Sequence, residues 1–334
     1  MKTFVASRVG AMVLILVALT GVMFLLQNIS PLDPVKSQLG AQASPEAVAA
    51  RREALGLNEP ILVQFWNYLT GAATGDLGTS YRTRHPVLSD LGDFFPATLE
   101  LAMYGIAISL VLAILLAFST TLKWRGSGVL RAVLFTGSSA PMFLLGILGL
   151  LVFYKTLGWV PANGRIAIPN PPDGPTGLLT VDGLIHGRFD VVGDALHHLI
   201  LPALVIALGP AVAIGRVLRS SLLGDIDSDY ARTARAKGLS ESQIMARHVL
   251  RNSLGAALSM TGLQIGLMFA GVLVIEQVFG WPGIGQYIAQ STPLADFPAI
   301  AGVTLMLGAL YVVINTAVDL LQVAADPRIA LTGG

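Results

Sequence analysis

Apolar residues run through this chain in six long blocks, 9–26, 97–120, 129–157, 199–218, 254–275 and 299–323. Each approaches or exceeds the ~20 residues that cross a bilayer as a helix. The pattern predicts six spanning helices and leaves polar connections of very unequal length. The first, 27–96, is too long for a simple turn and is punctuated by Pro31, Pro34, Pro45 and Pro60. Ser44 as N-cap and Pro45 at the first helical position start a short helix to Leu55, which Gly56 stops. Residues 61–69 form a second amphipathic piece, and 71–81 are glycine-rich and turning. The segment reads as a small folded external domain. Ser138, Ser139 and Pro141 interrupt the third block, a break tolerated only against protein or water. The fourth carries Pro202 and Pro210; Gly255, Gly262, Gly266 and Gly271 let the fifth pack closely.

One polar stretch, Asp225 to Asn252, is dense in charge. It reads as two short helices. Asp225, Asp227 and Asp229 begin the first, and Arg232, Arg235 and Lys237 end it, as the helix dipole favours. Gly238 suits a left-handed C-cap, and Ser240 with Gln243 forms a capping box for the second helix. Ala231, Ala234 and Gly238 lie near one face, a small-residue stripe that another surface could approach. A solvated loop is the plain alternative. A DNA-binding helix–turn–helix shares the outline, but the acidic start fits a phosphate backbone poorly and the flanking spans hold the stretch at a membrane. No nucleic-acid partner is expected.

Composition agrees with a membrane protein: 54% of residues are hydrophobic, 12% are charged, and mean hydropathy is +0.69. The net charge of +1 says less than its distribution. Lys2, Arg8, Lys123, Arg125, Arg131, Arg216, Arg219, Arg232, Arg235, Lys237, Arg247, Arg251 and Arg328 fall on one side. The two shorter opposite loops hold Lys155, Arg165 and Arg188. This asymmetry places both termini in the cytoplasm. The basic start and apolar run resemble a signal peptide, but no small-residue cleavage pattern follows, so an uncleaved first span is expected.

Cysteine is absent, which excludes disulfides and thiolate metal sites within the chain. Gly-Lys never occurs, so no Walker A loop can form. No catalytic constellation or metal site is expected; adjacent His197 and His198 would point about 100° apart on a helix. Deep ionisable groups and inverted halves, the marks of a secondary transporter, are missing. An energy source would therefore sit in another chain. Glu100 near the start of the second span reads as a dipole-stabilised carboxylate or a residue at a pathway mouth. Gln264, Glu276 and Asn315 are the other pathway candidates. Residues 276–298 contain no Lys or Arg; Pro282 makes a tight turn, and 284–290 a short interfacial helix anchored by Trp281 and Tyr287.

Tyr230-Ala231-Arg232-Thr233-Ala234-Arg235-Ala236-Lys237-Gly238-Leu239 resembles the EAA loop of binding-protein-dependent ABC importer permeases. Arg232 and Thr233 depart from the plain consensus, as does His248-Val249-Leu250-Arg251; both departures are familiar in the dipeptide/oligopeptide/nickel branch. Glu53 to Pro60, Gly75 to Tyr81, Glu276 to Gly285 and Asp326-Pro327-Arg328 are similar to the B-type permease of that branch. The resemblance covers essentially the whole chain. It implies an all-α polytopic membrane protein of six transmembrane helices with the type I ABC importer permease fold. The parts would be the N-terminus and first span (1–26), an extracytoplasmic loop domain (27–96) and a permease core (97–334) containing the coupling loop 225–252. It also implies a second homologous permease in a heterodimer, two ATPase domains using ATP and Mg, an extracytoplasmic binding protein, and no cofactor in this chain. Tyr230, Ala231, Arg232, Thr233, Ala234, Arg235, Lys237, Gly238 and Leu239 would couple to the ATPase. Trp281, Pro282 and Gly283 would meet the binding protein. The cargo implied is a dipeptide or oligopeptide; nickel, haem and glutathione are carried by relatives.

Overall fold

The computed structural model describes residues 2–30, 33–40, 42–245 and 249–325. Arg247, His248 and the tail motif Asp326-Pro327-Arg328 lie outside them. Among the described residues the architecture is helical, apart from one antiparallel bridge between Thr79 and Pro86. The elements are α1 (Lys2–Ile29), α2 (Pro34–Leu39), α3 (Pro45–Ala54), α4 (Ile61–Ala73), α5 (Val87–Thr121), α6 (Ser127–Ser139), α7 (Met142–Gly149), α8 (Leu179–Ile185), α9 (Phe189–Asp225), α10 (Asp229–Ala236), α11 (Glu241–Ile244), α12 (Leu250–Val278), α13 (Ile284–Ser291) and α14 (Phe297–Ala325). A π-helical turn, Leu150–Thr156, prolongs α7.

Among the described residues five helices, α1, α5, α9, α12 and α14, are long and apolar enough to cross a membrane. The third apolar block becomes a sixth span only as a broken one: α6 and α7 with its π-turn meet at 112°. The cause is local. Pro141 forces Ala140 out of the helical region, to φ −89 and ψ 149. The hydroxyls of Ser138 and Ser139 turn back to donate to the Phe135 carbonyl, at 3.1 and 2.7 Å.

Two helices begin earlier than the apolar pattern indicates. α5 starts at Val87 and runs through Pro96, and α9 starts at Phe189 and runs through Pro202 and Pro210. Hydropathy marks only the portion of a helix that suits lipid, and both helices open with polar turns. The expected boundary at 96 therefore falls inside α5, and Glu100 stands well inside the helix rather than in its first turn. The segment 27–96 also holds a helix the pattern does not indicate, α2, whose first turn Asp33 caps through the Val35 amide at 3.0 Å. The Ser44 cap of α3 is present, through the Ala47 amide at 3.2 Å.

The chain divides into two compact units. The first joins residues 1–98 to 282–312. In it α1 packs on α4 through Phe24, whose ring lies 5.7 Å from Phe65 and 5.7 Å from Tyr68. The second joins residues 99–281 to 313–334 and is centred on α9, sixteen of whose residues are buried. In this unit α12 meets the end of α14 so closely that a Cβ on Gly262 would lie 2.9 Å from Val318. Close helix packing at a glycine is the arrangement expected where apolar burial alone cannot drive association.

Candidate coupling site

The charged stretch folds as a handle rooted in the second unit. α10 and α11 are its two arms. α9 continues to Asp225, so that acid ends one helix instead of starting the next; Ser253 of α12 donates to its carboxylate at 2.8 Å. α10 then begins at Asp229. Its C-terminus has the geometry of a Schellman motif: the Gly238 amide donates to Arg235 O at 3.0 Å and the Leu239 amide to Ala234 O at 3.3 Å. Gly238 takes φ +85, a conformation β-carbon-bearing residues avoid. Ser240 and Gln243 form the capping box, with both reciprocal bonds present.

Across that turn, Arg235 clamps Glu241 with two bonds, Nε to Oε1 at 2.5 Å and Nη2 to Oε2 at 3.0 Å. The guanidinium so bonded holds the Glu241 carboxyl below its ordinary value of 4.5. Arg232 donates to the Asp227 carbonyl at 3.1 Å and lies 3.5 Å from Asp229. These arginines already have partners within the handle. No ion-pair partner for Lys237 occurs among the described residues.

The alanine stripe faces the opposite way from the expected one. Ala231 is 0% and Ala234 6% exposed, packed in a cluster with Ala117 of α5, Leu218 and Leu222 of α9, Ile244 of α11, Met245, Val249 and Ala257 of α12. Small side chains there let α10 settle on the chain's own helices, so Ala231 and Ala234 are not part of its exposed face. The exposed face carries Tyr230, Arg232, Thr233, Arg235, Lys237 and Gly238; Leu239 is half-buried.

The pathway candidates divide. Glu100 is 1% exposed. Its Oε2 accepts from Arg165 at 2.6 Å, and its Oε1 from the Thr180 amide at 2.8 Å and hydroxyl at 2.7 Å. Arg165 Nη2 also donates to Gly177 O at 2.8 Å. This carboxylate ties residues 165–180 to α5 and is not available to an aqueous path. Glu276 is fully buried. Gln264 and Asn315 are half-buried, Gln264 placing its amide 3.7 Å from Met260 Sδ.

Among the binding-protein candidates, Trp281 and Gly283 are buried and Pro282 is exposed. α13 is formed as expected, but Tyr287 is buried rather than an interfacial anchor. Within the first unit its hydroxyl donates to Asp90 at 2.8 Å, and Thr83 donates to the same oxygen at 2.5 Å. Ser80 and the Arg82 amide bond Asp296, at 2.5 and 3.0 Å, and the Arg82 guanidinium lies 5.1 Å from the Tyr287 ring centroid. Burial, with Asp90 adding to it, pushes the Tyr287 phenol up; burial first and then Asp296 push Tyr81 up to about 12. The resemblance to the B-type permease marks both segments, 75–81 and 276–285, without indicating the hydrogen bonds that join 80–83 to α13 and Asp296.

The described residues contain no cluster of three or more His, Asp or Glu suited to a metal. His197 and His198 each bond a backbone carbonyl, Trp159 O at 2.7 Å and Asp194 O at 2.9 Å.

The fold defines a polytopic helical membrane protein. Residues 93–331 match the family of binding-protein-dependent transport system inner membrane components, and residues 1–102 match the N-terminal region of such membrane components. The dipeptide transport system permease protein DppB of Alkalihalophilus pseudofirmus is 36% identical over 98% of this chain and 99% of its own. The probable D,D-dipeptide transport system permease protein DdpB of Escherichia coli is 38% identical over 98% and 97%. The glutathione transport system permease protein GsiC of Salmonella typhi is 32% identical over 98% and 99%. The chain belongs to the binding-protein-dependent transport system inner membrane component family. It is a multi-pass inner-membrane permease of an ABC transporter.

Proposed function

We propose that this chain is one half of a heterodimeric permease that imports peptides, with 225–252 as the handle on which an ATPase domain acts. A second homologous permease completes the pathway, two ATPase domains drive it, and an extracytoplasmic binding protein delivers the cargo. Both termini and the handle face the cytoplasm of a bacterial or archaeal cell. The observation that carries this reading is the two-faced handle. Its buried side is continuous with α5, α9 and α12 through Ala231, Ala234, Ile244 and Met245. Its exposed side presents Tyr230, Arg232, Thr233 and Lys237.

A push on the exposed side reaches three spanning helices through this packing, and Gly238, the capping box and the Arg235–Glu241 clamp fix the two arms to each other. ATP binding then biases the spans between inward- and outward-open states, a population shift set by the differential affinity of the ATPases for the two. Gln264 and Asn315 remain proposed pathway residues. Pro282 is the proposed contact for the binding protein. Relatives named for dipeptides support peptide cargo, and one named for glutathione supports a small peptide-like thiol as a second possibility within it.

Cross-linking tests the handle. The chain has no cysteine, so single replacements are clean. In the assembled transporter Thr233→Cys forms a cross-link to the ATPase, and Ala234→Cys does not. The reverse pattern, or none from either, overturns the reading.

A further inference from the structure

Three arginines line one cavity of about 490 Å³ in the second unit: Arg131 on α6, and Arg216 and Arg219 on α9. Leu116 and Thr120 of α5 and Ala132 and Phe135 of α6 form the rest of its side-chain wall, with no acid among the lining residues. The geometry follows from register. Positions 128, 131, 132 and 135 are one face of α6, and 216 and 219 one face of α9. Gly215 closes the crevice between α5 and α9, since a Cβ there would lie 2.9 Å from Leu116 and 3.1 Å from Ala113 O. Behind lies an apolar cluster of Leu116, Leu134 and Val212. All three arginines are exposed and without an ion-pair partner among the described residues.

The cavity thus joins concentrated positive charge to an apolar wall at the charged end of apolar helices. Three like charges on one lining repel one another, and no acid among the lining residues offsets them. An anion with a hydrocarbon tail satisfies both halves of the site. A free anion would leave the exposed Phe135, Val129 and Val133 of α6 uncovered.

We propose that this cavity binds the head group of an anionic phospholipid, with an acyl chain laid along α6. Arginine forks bond phosphate oxygens bidentately, and basic pockets between spans favour anionic lipids. The proposal does not depend on the cargo or on the handle.

The test uses the whole transporter, exchanged into detergent and titrated with phosphatidylglycerol or phosphatidylcholine, retained lipid being read by native mass spectrometry. The expected result is preferential retention of phosphatidylglycerol. Basic residues near anionic lipid contribute a factor of about five each, so R216Q/R219Q loses about 25-fold in retention. R216K/R219K keeps most of it, which separates lost charge from lost folding. K123Q/R125Q, which removes equal charge outside the cavity, leaves retention unchanged. Inorganic phosphate at the same concentrations does not displace the lipid. Equal loss in K123Q/R125Q would mean a diffuse surface field and overturns the site. Displacement by inorganic phosphate overturns the lipid in favour of a free anion. No preferential retention by the wild-type assembly, as when a second permease covers the cavity, also overturns it.

Discussion

Gly238 has open space where a side chain would begin, so what it supplies is its φ of +85. A left-handed conformation costs a β-carbon residue about 1–2 kcal/mol, and asparagine bears it best. Gly238→Val is expected to lower both coupled transport and the thermal stability of the transporter, while Gly238→Asn stays near wild type. If the two variants behaved alike, the turn would not be what matters. Ala231 makes the opposite demand. It is packed on all sides, so Ala231→Leu overfills the cluster and costs about 1–3 kcal/mol, whereas the exposed Thr233→Leu costs little; comparative melting of the two variants checks this. The Arg235–Glu241 clamp is half-exposed, with 39% and 49% of the two side chains open, and screening keeps its contribution small. Glu241 has a depressed folded carboxyl, so its share of stability is present above 4.5 and is lost as pH falls through the lower folded value. Wild type and Glu241→Gln are therefore expected to differ in melting temperature at neutral pH and to converge in acid.

Among elements, the buried clamp around Glu100 carries more. Arg165 is 12% and Glu100 2% exposed at the side chain. Removing one partner of a buried pair strands the other's charge, at about 3–5 kcal/mol. Arg165→Ala is expected to destabilise the second unit strongly, and Arg165→Ala with Glu100→Gln to recover much of the loss, since no bare charge is left. Limited proteolysis within 165–180 reads the release of that segment directly. In the first unit, Tyr81 and Tyr287 are held protonated by burial. A raised folded value for a phenol means its contribution is complete below 10 and falls as pH rises towards the folded value. The Tyr81 phenol should therefore ionise only as pH approaches about 12, which tyrosinate absorbance compared between wild type and Tyr81→Phe would follow.

On the scale of the molecule, what the sequence discloses depends on how far apart the interacting residues lie. The spans, the Gly238 C-cap and the Ser240–Gln243 box are set by neighbours a few positions away, and all three are legible. The break at Pro141 is legible too, though its 112° angle is not. The inward turn of Ala231 and Ala234 is hidden, because their partners Ala117, Leu218 and Leu222 come from other helices and alanine marks no face strongly. The Arg165 partner of Glu100 is hidden by a sequence separation of 65 positions, and the early starts of α5 and α9 by a scale that measures lipid preference instead of helicity. Charge asymmetry between loops is a property of the whole chain, and it supports a further expectation. Arg125, in the connection between α5 and α6, and Gln290, on α13, are both exposed. With both termini inside, two spans precede Arg125 and five precede Gln290, which puts the two positions on opposite faces of the membrane. A membrane-impermeant maleimide added to intact cells is expected to label Gln290→Cys and to reach Arg125→Cys only after permeabilisation. Labelling of Arg125→Cys in intact cells would reverse the orientation, and with it the side from which the handle is driven.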